Sequence, residues 1–150
     1  MNIYKNKLIN NSLRLNSIAN YFIELTDKND FIELHRFIKI KNLPVLVIGE
    51  GTNVVLPDIF EGIVVKPNFN EINFNEYNNT ISAGSSVNWH EFVIHTINNN
   101  IVGFENLSSI PGSVGASPIQ NIGAYGQEVS NLIESVDSVS YTHLRAHETV

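Results

Sequence analysis

The sequence predicts a mixed α and β (α+β) fold on three observations. Short stretches rich in β-branched and aromatic residues alternate with two stretches whose apolar residues recur at helical spacing. Apolar residues make up 43% and charged residues 16% of the 150 residues, a composition typical of one globular domain, or one domain and a piece of another. Two glycine-bearing segments, residues 49–53 and 110–126, interrupt these patterns and are the candidate ligand-binding segments.

The first half of the chain predicts a β-α-β unit. Residues 20–26 (NYFIELT) are aromatic and β-branched, which indicates a strand. A helix follows from Asp30, with Glu33 at the capping-box position, and it should end near Asn42 because a proline comes soon after. Residues 44–48 (PVLVI) form a continuous apolar run, which predicts a fully buried strand.

The remaining chain predicts short strands and one further helix. The strands are expected at residues 54–56, 62–66, 71–74 and 80–83. Asn88 can cap the helix, Glu91 stands at the capping-box position, and the asparagine run at residues 98–100 should end it. An apolar stripe at helical spacing predicts its buried face: Trp89, Phe92, Val93, Thr96 and Ile97.

Composition excludes several function classes. A formal net charge of -6 gives no basic field for nucleic acid or an anionic membrane, so backbone amides would have to hold a polyanionic ligand. The absence of cysteine excludes disulfides, thiolate chemistry and cysteine zinc sites. The N-terminus lacks an apolar signal region, and the run at residues 43–48 is far shorter than the roughly 20 residues of a membrane span. A cytoplasmic location is therefore expected.

Residues 49–53 (GEGTN) are named the first glycine loop. They begin like the dinucleotide fingerprint G-x-G-x-x-G, but Val54 stands where the third glycine belongs and a strand is predicted next, which disfavours a Rossmann site. Glycines that adopt positive φ let successive amides converge on an anion, and Thr52 and Asn53 add side-chain donors. A plain tight turn without a ligand is the commoner cause of such a pattern.

Residues 110–126 (IPGSVGASPIQNIGAYG) are named the second glycine loop. Its apolar residues recur every three to five positions, which predicts a packed segment instead of a flexible linker: Ile110, Val114, Ile119, Ile122 and Tyr125. The bare backbone would let a flat or polyanionic ligand approach, and Gln120 and Asn121 supply paired donors and acceptors. The alternative is close packing of two chain segments with no ligand.

The other titratable residues give little indication of a catalytic or metal-binding role. Glu105 beside Asn106 could act as a general base, but a loop carboxylate is usually solvated. Three histidines are expected at the surface or the edge of the core: His35, His90 and His95. His143 and His147 have the i, i+4 spacing of a metal pair without an evident third ligand, so no metal site is predicted.

Three segments resemble the UDP-N-acetylenolpyruvoylglucosamine reductase family, also called UDP-N-acetylmuramate dehydrogenases or MurB. They are VIGEGTNVVLPD (residues 47–58), NWHEFV (88–93) and GFENLSSIPGSVGASPIQNIGAYGQE (103–128). The resemblance runs from about residue 11 to about residue 139 and implies an FAD-binding fold of the vanillyl-alcohol-oxidase (PCMH) type. It further implies an FAD-binding subdomain 1 at residues 11–70 and an incomplete subdomain 2 at residues 71–139.

The resemblance also implies a chemistry. FAD is the cofactor, NADPH the reductant, and UDP-N-acetylglucosamine enolpyruvate the small-molecule substrate, reduced to UDP-N-acetylmuramate for the peptidoglycan on which cell shape and division depend. A monomer without nucleic-acid or membrane partners is expected. The first glycine loop would face the FAD diphosphate, and the second would wrap the flavin and its diphosphate linker, with Tyr125 near the nucleotide and the reacting face. The cofactor-binding residues are then Gly49, Glu50, Gly51, Thr52, Asn53, Val54, Ile110, Pro111, Gly112, Ser113, Gly115, Ala116, Ser117, Ile119, Gln120, Asn121, Ile122, Gly123, Ala124, Tyr125 and Gly126.

The sequence departs from the family in its last part. The family's tyrosine-arginine motif, serine proton donor and glutamate have no counterpart here, so no catalytic residue is predicted. The fragment is expected to be inactive, with its catalytic residues truncated away. Residues 140–150 (SYTHLRAHETV) do not continue the family pattern, and we expect them to be a non-native tail. The alternatives are another vanillyl-alcohol-oxidase-type flavoprotein, for which a His or Cys near the glycine turn would be expected, and a non-enzymatic nucleotide-binding module.

Overall fold

The structure, a computed structural model, describes residues 1–139 and 146–147. Its strands are β1 (Asn2–Ile9), β2 (Ser17–Leu25), β3 (Val45–Val47), β4 (Ile59–Pro67), β5 (Ile72–Asn75), β6 (Thr80–Ala83), β7 (Gly123–Ala124), β8 (Gln127–Glu128), β9 (Ser138–Val139) and β10 (Ala146–His147). Its helices are α1 (Asp30–Lys41), α2 (Trp89–Asn98) and α3 (Ser117–Gln120), with 3-10 turns at Glu105–Leu107, Val114–Ala116 and Val129–Asn131. This mixture of helices and strands confirms the predicted fold class at that level.

The N-terminal part of the chain forms a four-stranded sheet in the order β1-β2-β4-β3. Strands β2 and β3 each run parallel to β4, and β1 pairs antiparallel with β2. The predicted β-α-β connection through α1 is therefore present, with β4 inserted between its two strands. Strand β1 is not predicted by the sequence analysis, because most of its side chains are exposed and it shows no apolar pattern.

The prediction for residues 44–48 is wrong about burial. β3 is an edge strand that pairs only with β4, so Val47 is 43% exposed and only Ile48 is buried. The strand predicted at residues 54–56 is also wrong, since this segment forms no strand. Its β-branched residues favour extended backbone locally, but no strand of the described chain forms a backbone ladder with it. Strand β2 meets it through Ser17, whose Oγ donates to the carbonyl of Leu56 at 3.4 Å, and Val55 is 81% exposed.

Helix α1 ends as predicted, but it begins differently. Asn42 adopts left-handed geometry with φ 50°, and its N–H donates to the carbonyl of Ile38, which closes the helix. The predicted capping box is wrong, because the N-cap residue is Asn29 and makes no side-chain capping bond. The carboxylate of Asp30 instead accepts hydrogen bonds from outside the helix.

Asp30 gathers donors from two parts of the chain. Its oxygens accept from the Met1 ammonium at 2.8 Å and from the backbone N–H groups of Thr26 at 2.8 Å and Asp27 at 3.0 Å. The hydrogen bond from the ammonium is the largest cause, and the bond from Thr26 the next, of a pKa lowered from 3.8 to about 2. The carboxylate therefore ties the N-terminus to the start of α1.

We expect Asp30→Asn to reduce stability at pH 6 and to reduce it less at pH 3. A folded-state pKa below the ordinary value means that the contribution is complete above about pH 4 and is lost as the pH falls towards 2. Urea unfolding followed by circular dichroism at the two pH values measures the difference. The exposed Asp137→Asn serves as the control, and an equal difference at both pH values would contradict the assignment.

The second half of the chain forms around α2. The Asn88 side chain accepts from the N–H of Glu91 at 3.2 Å, which confirms the predicted cap. The predicted stripe is buried except for Ile97, which is 44% exposed and corrects the prediction for that residue. The strands predicted at residues 71–74 and 80–83 correspond to β5 and β6, which pair antiparallel, and residues 62–66 lie within β4.

The hydrophobic core is divided into clusters that position the two glycine loops. One cluster surrounds α2 and contains Val87, Trp89, Phe92, Val93, Ile101, Phe104, Leu107 and Val129. The second glycine loop packs against it through Ile110, Val114 and Ile122. Ile48, just before the first glycine loop, belongs to a separate cluster of the four-stranded sheet. Within the described residues, no helix is long and apolar enough to cross a membrane.

Predictions for the tail fall largely outside the described residues. The spacing of His143 and His147 and the expected non-native character of the tail concern residues 140–150. Of these residues the structure describes only the backbone of Ala146–His147. That backbone pairs antiparallel with β9.

Candidate functional site

The two glycine loops lie against each other. A Cβ atom added to Gly49 would lie 2.5 Å from Ser113 Oγ, and one added to Gly112 would lie 3.4 Å from Thr52 Oγ1. Thr52 Oγ1 also donates a long hydrogen bond of 3.4 Å to the carbonyl of Pro111. The fold thus brings together the two segments in which the sequence analysis placed its candidate residues.

The first glycine loop is anchored through its carbonyls. The N–H of Ser12 donates to Gly51 O at 3.0 Å, and the Ser12 hydroxyl reaches the carbonyls of Gly51 and Thr52 at 3.3 Å each. Gly51 has φ +67°, and a Cβ there would meet the carbonyl of Asn10 at 2.7 Å, so glycine is required. Within residues 1–139, none of the backbone N–H groups of residues 49–53 donates a hydrogen bond. These amides remain available to an anion.

The second glycine loop is anchored to the segment between β6 and α2. Three backbone hydrogen bonds join them: Trp89 N to Gly112 O at 3.0 Å, Val114 N to Val87 O at 2.9 Å, and Gly115 N to Ser85 O at 2.9 Å. A Cβ added to Gly115 would lie 2.5 Å from Ser85 Cβ and 2.9 Å from its carbonyl oxygen. At Gly115, close packing of two segments, the alternative left open above, therefore suffices to explain the missing side chain.

Two of the predicted packing positions in the second glycine loop are wrong. Ile119 is 85% exposed on the short helix α3, and Tyr125 is 91% exposed. Tyr125 and Gly126, with φ 53° and 79°, form the tip of the hairpin between β7 and β8. A hairpin tip projects from the core, so these side chains do not hold the loop in place.

The side-chain amide of Asn121, in the second glycine loop, already has hydrogen-bond partners in the residues that follow the loop. Its Nδ2 donates to Glu128 Oε2 at 2.8 Å, and its Oδ1 accepts from the N–H of Ser130 at 3.2 Å. The backbone of Asn121 is left-handed, with φ 44°, and closes helix α3. Its amide therefore stabilises the turn. Gln120 is exposed and borders a cavity of about 10 Å³ together with Trp89.

Lys66 is a residue of the site that the sequence analysis missed. Its Nζ lies 3.3 Å from Glu50 Oε1, and both side chains are partly exposed. Such a surface pair contributes little to stability, but it offsets the negative charge of Glu50 beside the unpaired amides. The register explains why Glu50 and Lys66 meet: β3 runs parallel to β4 with Val47 opposite Val65, so the residues that follow Val47 lie beside the last residues of β4. No local signal in the sequence indicates this pairing.

The other titratable candidates have structural partners. Glu105 is exposed, and its Oε2 accepts from the N–H of Gly103 at 2.7 Å, which fits a solvated turn residue. His90 Nδ1 accepts from the N–H of Ser109 at 3.2 Å. Neither contact joins these side chains to the glycine loops' unpaired amides.

The two glycine loops meet where Gly49 approaches Ser113, and this contact is called the junction of the glycine loops. The polar side chain at the junction is that of Ser113. The residue is 2% exposed, and its hydroxyl has no hydrogen-bond partner among the described residues. A buried unpaired hydroxyl is uncommon and needs an explanation. Beside it lies Gly49 of the first glycine loop, whose backbone N–H groups donate no hydrogen bond within residues 1–139. A group rich in acceptor oxygens, such as a phosphate, fits this set of donors.

Comparison with known proteins is consistent with this chemistry. Residues 19–142 match the FAD binding domain family. The chain is 37% identical over 131 residues to the UDP-N-acetylenolpyruvoylglucosamine reductase of Polynucleobacter asymbioticus, which covers 85% of this chain and 38% of that protein. The reductase of the same name from Photobacterium profundum is 41% identical over 125 residues, 82% of this chain and 36% of that protein. The reductase of the same name from Burkholderia lata is 37% identical over 132 residues, which cover 86% of this chain and 38% of that protein.

These matches confirm the resemblance to UDP-N-acetylenolpyruvoylglucosamine reductases and support FAD as the cofactor. The chain spans between 36% and 38% of the length of these relatives. Because the family match extends from residue 19 to residue 142, the chain belongs to the FAD binding domain family.

Proposed function

We propose that this chain binds FAD and is the flavin-binding part of an NADPH-dependent UDP-N-acetylenolpyruvoylglucosamine reductase. Such an enzyme converts UDP-N-acetylglucosamine enolpyruvate to UDP-N-acetylmuramate. The observation that carries the proposal is the junction of the glycine loops, where the unpaired amides of residues 49–53 lie beside the buried hydroxyl of Ser113. The family match and the names of the relatives support it.

In this proposal the chain holds the cofactor with neutral donors. The amides of the first glycine loop and the Ser113 hydroxyl would hold the diphosphate, which suits a chain of net charge -6. The second glycine loop would border the flavin, with the cofactor-binding residues as named in the sequence analysis. Asn121 would act indirectly, by fixing the turn of that loop. FAD, when bound, supplies the hydride transfer.

The finer architecture belongs to the same proposal. We assign a vanillyl-alcohol-oxidase (PCMH) type of FAD-binding fold, with subdomain 1 at residues 11–70 and subdomain 2 at residues 71–139. The four-stranded sheet lies mostly in the first range, and α2 with the second glycine loop lies in the other. A cytoplasmic location, a monomeric state and the small UDP-sugar substrate complete the assignment.

We expect the purified chain to bind FAD saturably and ADP to compete with it. The reason is that the proposed diphosphate site recognises phosphate oxygens, which FAD and ADP share and riboflavin lacks. Titration followed by flavin fluorescence and absorbance measures FAD binding, with riboflavin as the matched ligand without phosphate. Absence of saturable binding by both FAD and ADP would contradict the proposal.

Substrate-dependent NADPH oxidation by the 150-residue chain should be at least about a hundredfold slower than by a full-length relative. The tyrosine-arginine motif, serine proton donor and glutamate of the family have no counterpart in this sequence, and such groups commonly contribute about a hundredfold or more each. The reductase of Photobacterium profundum, assayed with the same substrate, is the control. Comparable turnover by the two proteins would show that these groups are not needed.

A further inference from the structure

Two buried hydroxyls in the described part of the chain lack a hydrogen-bond partner, and both lie at contacts of the glycine loops. Ser113 Oγ lies at the contact with Gly49. Ser85 Oγ is the other, and Ser85 contacts the second glycine loop at Gly115. Ser85 is outside the cofactor-binding residues named from the sequence.

Packing alone does not explain why residue 85 carries a hydroxyl. The close contact of Ser85 with Gly115 involves its Cβ, its Cα and its carbonyl oxygen, all of which an alanine would also supply. The Ser85 carbonyl holds the N–H of Gly115 at 2.9 Å, a bond that does not use the side chain. Leaving a buried hydroxyl unpaired destabilises a fold, whereas an alanine in its place is neutral or stabilising.

The neighbouring Ser86 shows the contrast. Its hydroxyl donates to the carbonyl of Pro67 and so has a partner within the fold. The backbone of Ser86 is also bonded, through its N–H to Phe69 O at 2.9 Å. The segment is therefore able to satisfy a serine hydroxyl, and the hydroxyl of Ser85 is the one left without a partner.

We propose that Ser85 is a phosphate-binding residue, which donates its hydroxyl, together with that of Ser113, to phosphate oxygens of the bound nucleotide. The inference rests on the proposed FAD-binding function and adds a third chain segment to the site. The cavity beside Pro111, Gly112 and Ser113 is about 10 Å³, enough for about one water molecule, so the loops separate when the ligand enters.

The contacts across the junction allow this separation. The direct hydrogen bond between the loops, from Thr52 Oγ1 to the carbonyl of Pro111, is long at 3.4 Å and therefore weak. Further contacts between the loops are the approaches of Gly49 to Ser113 and Ala116 and of Gly112 to Thr52, and none of these is a hydrogen bond. Opening this junction exposes the hydroxyl of Ser113, and in the proposal the accompanying shift of the second glycine loop also uncovers that of Ser85 beside Gly115. Both hydroxyls then gain partners, since the ligand's oxygens accept hydrogen bonds.

The test is Ser85→Ala in the 150-residue chain. We expect an unchanged or higher melting temperature without ligand, and about tenfold weaker binding of FAD and of ADP, with the affinity for riboflavin unchanged. Ser86→Ala is the matched control: it should lower the melting temperature, because it leaves the Pro67 carbonyl without its partner, and keep the affinity for FAD.

Each outcome separates the two proposals. If the wild-type chain binds neither FAD nor ADP, the proposed function fails and the role of Ser85 fails with it. If the wild type binds FAD and Ser85→Ala binds it equally well, the role of Ser85 alone is overturned. A lower melting temperature of the variant, or an equal loss of riboflavin and FAD affinity, would also overturn it, because either result indicates a structural role.

Discussion

Replacing Gly115 with alanine should lower the free energy of unfolding by roughly 1–3 kcal/mol. The added Cβ would lie 2.5 Å from Ser85 Cβ and 2.9 Å from both its Cα and its carbonyl oxygen. Two of these are backbone atoms, and the hydrogen bond from Gly115 N to Ser85 O holds the segments together, so the clash is not relieved by turning a side chain. We therefore expect the second glycine loop to shift and the affinity for FAD to fall as well.

Urea unfolding followed by circular dichroism measures this effect, and Gly126→Asn is the control. Gly126 has φ +79°, and a Cβ there would meet nothing within 4 Å. Asparagine tolerates left-handed backbone, so the control should change stability by about 0.5 kcal/mol or less. Equal effects of the two substitutions would mean that the contact of Gly115 with Ser85 does not limit the size of the residue.

Replacing Trp89 with alanine should have the largest effect, a loss of roughly 3–5 kcal/mol. Trp89 is 1% exposed, and its ring centroid lies 5.5 Å from that of Phe92 and 6.3 Å from that of Phe104. Its Nε1 donates to the buried carbonyl of Leu107 at 2.7 Å. The substitution therefore creates a cavity and leaves a buried carbonyl without a partner.

The matched control lies on the same helix. Ile97→Ala should change stability by about 1 kcal/mol or less, because Ile97 is 44% exposed although its spacing places it on the predicted buried stripe. Circular dichroism is the appropriate probe, because Trp89 is the single tryptophan of the chain and the Trp89→Ala variant would have no tryptophan fluorescence to follow. A loss from Ile97→Ala as large as that from Trp89→Ala would contradict the burial seen for the two side chains.

Helix α2 shows what can be predicted from a short stretch of sequence. Its cap at Asn88 and its buried residues Trp89, Phe92, Val93 and Thr96 follow from signals within about ten residues, and the structure confirms them. The predicted end of α1 near Asn42 is confirmed for the same reason. Caps and helical spacing act mainly between residues that are neighbours in the chain, although at the start of α1 the distant Met1 ammonium binds the Asp30 carboxylate and the predicted capping box does not form.

Strands depend on partners that the sequence does not reveal. The apolar residues 54–56 form no strand because no strand of the described chain pairs with their backbone, whereas β1, half of which is Asn and Lys, is a strand because it pairs with β2. The exposure of Val47 likewise follows from the position of β3 at the edge of the sheet. Backbone pairing between distant segments decides these cases, and local propensity does not.

The sequence by itself determined the α+β class, the helices α1 and α2, the two glycine-bearing segments and the resemblance to one reductase family. Only the tertiary structure decided that residues 49–53 lie beside Ser113, that Lys66 pairs with Glu50, and that the hydroxyls of Ser85 and Ser113 are buried without partners. The physical reason is the separation in sequence between the residues that interact. Helical spacing and most helix caps are set by adjacent residues, while burial and hydrogen-bond pairing depend on which distant segments the fold brings into contact.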